Sequence, residues 1–114
     1  MANPDPSSAR ASVKERRSVP RYPLIATADI LDTSSEMRFS GRISEVSRKG
    51  CYVDVLNPLP VGTVIQIRIS RDSGSFATRA KVVYADSGMG MGVAFADTTA
   101  DQLKILDAWL AELA

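Results

Sequence analysis

Alternation of apolar and polar residues, repeated in six short segments, is the feature that most constrains what this chain can fold into. In one of them Ile65, Ile67 and Ile69 alternate with polar residues. The same period of two recurs in residues 24–30, 37–43, 51–55, 76–84 and 89–95. Side chains that alternate in this way line a strand with one buried face and one exposed face. Six such strands at short, even spacing predict a mainly β fold, an antiparallel sheet closed into a six-stranded barrel.

The last segment of the chain has helical rather than strand periodicity. Thr98 and Thr99 supply a helix cap, with Gln102 three residues after Thr99. Six apolar residues then follow at helical spacing: Leu103, Ile105, Leu106, Trp109, Leu110 and Leu113. This stripe predicts a C-terminal α-helix that packs on the barrel, with Trp109 as its packing anchor.

The alternation also predicts which residues face the core. Met37, Tyr84 and Met89 fall on the inward side of their segments, and we expect the methionines to fill the core. Cys51 is expected to be a small buried residue. The glycine-rich run 88–92 precedes a strand-like segment instead of a helix, so it favours a bend at a barrel corner over a dinucleotide-binding loop.

Composition excludes several classes of function. The chain has 114 residues, no histidine and a single cysteine, so the usual zinc ligands and nucleophile–base pairs are missing, and we expect neither a metal site nor an enzyme. No apolar run is long enough to span a bilayer and the N-terminus does not resemble a signal peptide. We therefore expect a cytoplasmic protein without membrane insertion. With 6% aromatic residues, several of them on predicted core faces, DNA or RNA binding is not expected.

The N-terminal part of the chain differs from the rest. Residues 1–12 are rich in proline and serine and predict a disordered tail, residues 13–23 form a basic segment, and residues 24–114 form the barrel and helix. The basic segment contains Arg16, Arg17 and Arg21, and Pro20 keeps it out of regular helix. Guanidinium groups bind phosphates and stack on purines. The same residues equally suit a solvated basic linker.

A second polar cluster, Glu45, Ser47 and Gly50, lies between two predicted strands. A carboxylate accepts hydrogen bonds from N–H groups such as those of guanine, a hydroxyl donates to a phosphate oxygen, and a glycine permits close approach of the backbone. These are also ordinary turn residues. We expect the two clusters to converge on one anionic, planar ligand.

Together the two clusters resemble the PilZ domain family. The resemblance is carried by an Arg-x-x-x-Arg motif before a predicted six-stranded barrel and by Glu45-x-Ser47-x-x-Gly50, which is similar to the family's (Asp/Asn)-x-Ser-x-x-Gly turn. A closing Gly92-Val93-x-Phe95 strand and a terminal amphipathic helix add to it. It implies a non-enzymatic receptor for the bacterial second messenger cyclic di-GMP. The family's pattern then places Arg17, Arg21, Ser47 and Gly50 in the ligand site.

The sequence departs from the family's pattern at one position, and one alternative function stays open. Glu45 stands where the family has Asp or Asn, and Arg16 adds a guanidinium that suits a stacked pair of ligand molecules. We also expect Tyr84 or Arg79 on the ligand face. The arginine segment is expected to become ordered on binding and to pass the signal to a separate partner. The alternative is a PilZ-like adaptor that binds proteins and no nucleotide.

Overall fold

The computed structural model describes residues 19–114, which form a closed six-stranded barrel and one helix. The predicted tail at 1–12, most of the segment 13–23, and both Arg16 and Arg17 lie outside the described residues. The strands are β1 (Arg21–Asp32), β2 (Arg38–Ser47), β3 (Gly50–Asp54), β4 (Val64–Arg71), β5 (Gly74–Asp86) and β6 (Gly90–Ala96), and the helix is α1 (Ala100–Leu113). They close in the order β1-β2-β3-β6-β5-β4, and every neighbouring pair is antiparallel. The predicted fold class is confirmed.

The core follows the alternation of the sequence. Ile65, Ile67 and Ile69 of β4 are almost completely buried, and so is Phe76 of β5. Helix α1 packs on this core through Trp109, whose ring centroid lies 6.3 Å from that of Phe76 in an edge-on arrangement. The predicted helix cap is present as well, since the Thr99 hydroxyl accepts a hydrogen bond from the Gln102 backbone N–H at 3.3 Å.

Three of the predicted inward residues are exposed instead. Met37 and Met89 are 52% and 67% exposed because each lies in the turn just before its strand begins. Tyr84 is 41% exposed because a bulge at Val83 interrupts the pairing of β5 with β6. Of the predicted methionine core, Met91 is completely buried.

A second bulge places the polar cluster of β2. The pairing of β2 with β3 shifts between Ile43 and Glu45, so that Ser44 is an extra residue in β2. Ile43 and Val46 are both fully buried although they are three residues apart, which strict alternation would not allow. Glu45 is thereby left half-exposed at the end of the barrel.

Strands β3 and β6 approach each other closely at Gly50. A Cβ atom at this position would overlap the backbone carbonyl oxygen of Val93, which cannot move aside without disturbing β6. The glycine of the second polar cluster is therefore required by the pairing of two strands, independently of any ligand.

We predict that Gly50→Ala lowers the free energy of unfolding by about 3 kcal/mol, because the added methyl group forces β3 away from β6. Gly88→Ala is the matched control, since Gly88 has a φ of 78° and open space around it. In that variant the free energy of unfolding should fall by roughly 1–2 kcal/mol, from backbone strain alone. Urea denaturation of both variants measures the difference, and equal losses would contradict the steric explanation.

Candidate ligand-binding site

A cavity of about 340 Å³ lies where one end of β1 and β2 meets β3, β5 and β6. Four predicted site residues line it: Arg21, Glu45, Ser47 and Gly50. The other two, Arg16 and Arg17, lie outside the described residues. The remaining lining residues are Val19, Lys49, Cys51, Tyr52, Val83, Tyr84, Gly92, Val93 and Ala94. Arg21 of the first cluster thus shares one cavity with the second cluster, although the two are distant in sequence.

Arg21 and Glu45 form an ion pair at the wall of this cavity. The Arg21 Nη1 atom lies 3.1 Å from Glu45 Oε1, and the two side chains are 32% and 43% exposed. Because water screens the pair, it stabilises the fold by no more than about 1 kcal/mol. A guanidinium carries five N–H donors, so Arg21 retains donors for a ligand.

Ser47 shapes the turn between β2 and β3. It is buried, and its Oγ accepts hydrogen bonds from the backbone N–H groups of Lys49 and Gly50 at 3.1 and 3.2 Å. The Ser47 hydroxyl also lies 3.4 Å from the Gly50 carbonyl oxygen, to which it donates. The hydroxyl is thus engaged within the turn and holds the backbone of the site in place.

The same turn is tied to the helix. The Arg48 side chain points away from the turn and its Nε donates to Asp107 Oδ1 of α1 at 2.9 Å. Both side chains are at least half exposed, so this contact contributes little to stability. It does connect the turn that lines the cavity directly to α1.

Tyr52 and Tyr84 form an aromatic wall that the sequence analysis largely missed. Their ring centroids lie 6.1 Å apart with a tilt of 33°, and both residues line the cavity. Tyr84 was one of two residues expected on the ligand face, whereas nothing in the sequence pattern singled out Tyr52. Arg79, the other candidate, does not line this cavity and pairs with Asp97 at 3.4 Å.

Two groups of the cavity are held in their neutral forms. Burial, together with the hydrogen bond that Tyr52 donates to Asp86 at 2.9 Å, raises the pKa of Tyr52 to about 12. Burial alone raises the pKa of the Cys51 thiol to about 12. At neutral pH Tyr52 therefore remains a hydrogen-bond donor, and Cys51 has no thiolate character.

A comparison with protein families matches residues 15–112 to the PilZ domain. The chain belongs to the PilZ domain family. The match covers the barrel and helix and reaches into the arginine segment. It confirms the resemblance that the two sequence motifs had indicated.

Three solved structures share the fold at low sequence identity. The PilZ domain of YcgR from Escherichia coli, solved with cyclic di-GMP, is 13% identical with a TM-score of 0.72, over 86% of this chain and 91% of that one. The PilZ domain of CeSA from a cellulose-synthesizing bacterium is 18% identical with a TM-score of 0.61, over 78% and 93%. The motility inhibitor MotI/DgrA of Bacillus subtilis is 16% identical with a TM-score of 0.66, over 82% of this chain and 48% of that one. At these identities the likeness concerns the fold alone.

A search among curated proteins finds no match. Within residues 19–114, no group of three or more histidine, cysteine, aspartate or glutamate side chains is arranged to hold a metal ion. Over the same part of the chain, the structure contains no helix that is both long and apolar enough to cross a membrane.

Proposed function

We propose that this PilZ domain is a non-enzymatic receptor that binds cyclic di-GMP in the cavity beside Arg21. The observation that carries the proposal is the convergence of Arg21 with Glu45, Ser47 and Gly50, which lie at least 24 positions further along the chain, on one cavity. Membership of the PilZ family and the ligand of the E. coli YcgR domain support the same conclusion.

The chemistry of the cavity suits an anionic ligand with planar bases. Arg21 offers charge-assisted donors to a phosphate or to the acceptor edge of guanine. Glu45 accepts hydrogen bonds from the N–H groups of guanine. Ser47 and Gly50 fix the backbone between these side chains and the aromatic wall. In this proposal Ser47 acts by holding the turn rather than by direct phosphate contact.

The arginines that precede the described residues complete the site in this proposal. Arg17 joins Arg21 in holding phosphate and guanine, and Arg16 adds a contact for a second, stacked ligand molecule. The part of segment 13–23 that precedes β1 becomes ordered as it closes over the ligand, and Pro20 reduces the conformational entropy that is lost. The newly ordered surface passes the signal to a separate effector protein in the cytoplasm.

A calorimetric titration with cyclic di-GMP tests the proposal. We expect saturable heat at micromolar protein, together with NMR chemical-shift changes at Tyr84 and Gly92. The alternative, an adaptor that binds proteins and no nucleotide, is favoured by one observation: Glu45 already pairs with one nitrogen of the Arg21 guanidinium. Absence of both heat and shift changes would overturn the receptor function and leave the adaptor.

Removing either arginine of the motif should weaken the binding of cyclic di-GMP. We predict that Arg17→Ala and Arg21→Ala each cost at least about 1.5 kcal/mol, roughly tenfold in Kd, because charge-assisted hydrogen bonds are lost. Arg79→Ala removes the same charge from an exposed site outside the cavity and is the matched control. Wild-type affinity in the motif variants, or an equal loss in the control, would show that these arginines do not hold the ligand.

Glu45 should limit the affinity because it competes with the ligand for Arg21. Glu45→Asp shortens the side chain by one methylene, restores a residue of the family's pattern and removes the reach to the Arg21 Nη1 atom. We predict tighter binding of cyclic di-GMP, by up to about fivefold, since an exposed ion pair contributes at most about 1 kcal/mol. Weaker binding by this variant would instead show that the longer carboxylate makes a contact the ligand needs.

A further inference from the structure

We infer that Tyr84, supported by Tyr52, is a stacking platform for a purine base of the ligand. The inference deepens the proposed function, since it assigns a base-binding subsite to the same cavity and rests on the cavity being a nucleotide site. It is carried by the way β6 holds the two rings, by the exposure of Tyr84, and by the position of Arg21 and Glu45 in the same cavity.

Glycines of β6 allow both rings to lie against the backbone. A Cβ atom at Gly92 would overlap the Tyr84 ring, and one at Gly90 would lie 2.6 Å from Cε2 of Tyr52. Tyr52 and Tyr84 both stand opposite Gly92 in the sheet, one on each side of β6. Any side chain at these glycines would push the rings off the strand and close the space in front of them.

Two contacts restrain the platform in the unliganded chain. The Tyr52 hydroxyl donates to Asp86 Oδ2 at 2.9 Å, and the tilted contact of the two rings, with centroids 6.1 Å apart, restrains Tyr84. The bulge at Val83 turns Tyr84 outward, where it is 41% exposed and lines the cavity. A ring fixed in this way loses little conformational entropy when a base stacks on it.

The surroundings of the platform select a nucleotide base over a simple apolar group. A polar ion pair, Arg21 with Glu45, lies in the same cavity and offers donors and an acceptor to the edge and phosphate of a stacked nucleotide. Stacking on an aromatic ring depends on the face of the base and involves no charge. The loss of affinity caused by removing the ring should therefore be the same at low and high salt. The loss of affinity caused by removing Arg21 should depend on salt.

The test compares Tyr84→Phe, Tyr84→Leu and Arg21→Ala with the wild-type chain. Cyclic di-GMP is titrated at about 0.05 M and about 0.5 M salt, where screening differs severalfold. We expect Tyr84→Phe to bind like the wild type and Tyr84→Leu to bind about tenfold more weakly at both salt concentrations. The Arg21→Ala defect should shrink at high salt. The Tyr84 side chain is partly exposed, and thermal melts check that the variants remain folded.

An independent readout is the ring-current shift of the guanine H8 proton. Stacking on Tyr84 should move this resonance upfield in the wild-type and Tyr84→Phe complexes and leave it nearly unshifted with Tyr84→Leu. If the wild type binds and Tyr84→Leu shows the same affinity and the same H8 shift, the platform is overturned and the receptor function stands. If the wild type does not bind cyclic di-GMP, the stacking platform and the receptor function are both overturned.

Discussion

The close approach of β6 to its two neighbours is the constraint on which this structure depends. Gly50 meets the Val93 carbonyl, and Gly90 and Gly92 lie beneath two tyrosine rings. The same strand therefore closes the barrel on one side and forms the wall of the cavity on the other. Because the clashing partner at Gly50 is backbone, no side-chain rearrangement would relieve a substitution there. The packing of β6 against its neighbours therefore determines both the closure of the barrel and the wall of the cavity.

The charged part of the cavity is held more weakly than the aromatic part. The Arg21–Glu45 ion pair is a single contact between partly exposed side chains, and its free energy is small once water and salt screen it. The tyrosine platform, by contrast, is fixed by backbone contact and by the hydrogen bond to Asp86. In the proposed function the ligand therefore meets a restrained aromatic face on one side and an exchangeable ion pair on the other.

The alternation of apolar and polar residues was enough to predict the strands. The burial of Ile65 or Phe76 follows from a local alternation with a period of two residues. It was not enough to predict the site in detail. Bulges at Ser44 and Val83 arise from the pairing between strands, and they decide where Glu45 and Tyr84 point. The glycine-rich run 88–92 was expected to form a bend at a barrel corner, whereas only Gly88 lies in a turn and Gly90 and Gly92 pair within β6. The rings that lie over these two glycines depend on a register that one sequence does not reveal.

Ser47 shows how a motif residue can contribute to a site through the backbone of a turn. Its hydroxyl binds the backbone of the turn, and the next residue, Arg48, reaches Asp107 of α1. The turn is thus held from within and linked to the helix at its surface. A motif defined by residue type alone cannot separate a side chain that contacts a ligand from one that shapes the loop, whereas the hydrogen bonds can. For Ser47 and Gly50 they favour shaping, and in the proposed function direct recognition accordingly falls to the arginines, Glu45 and Tyr84.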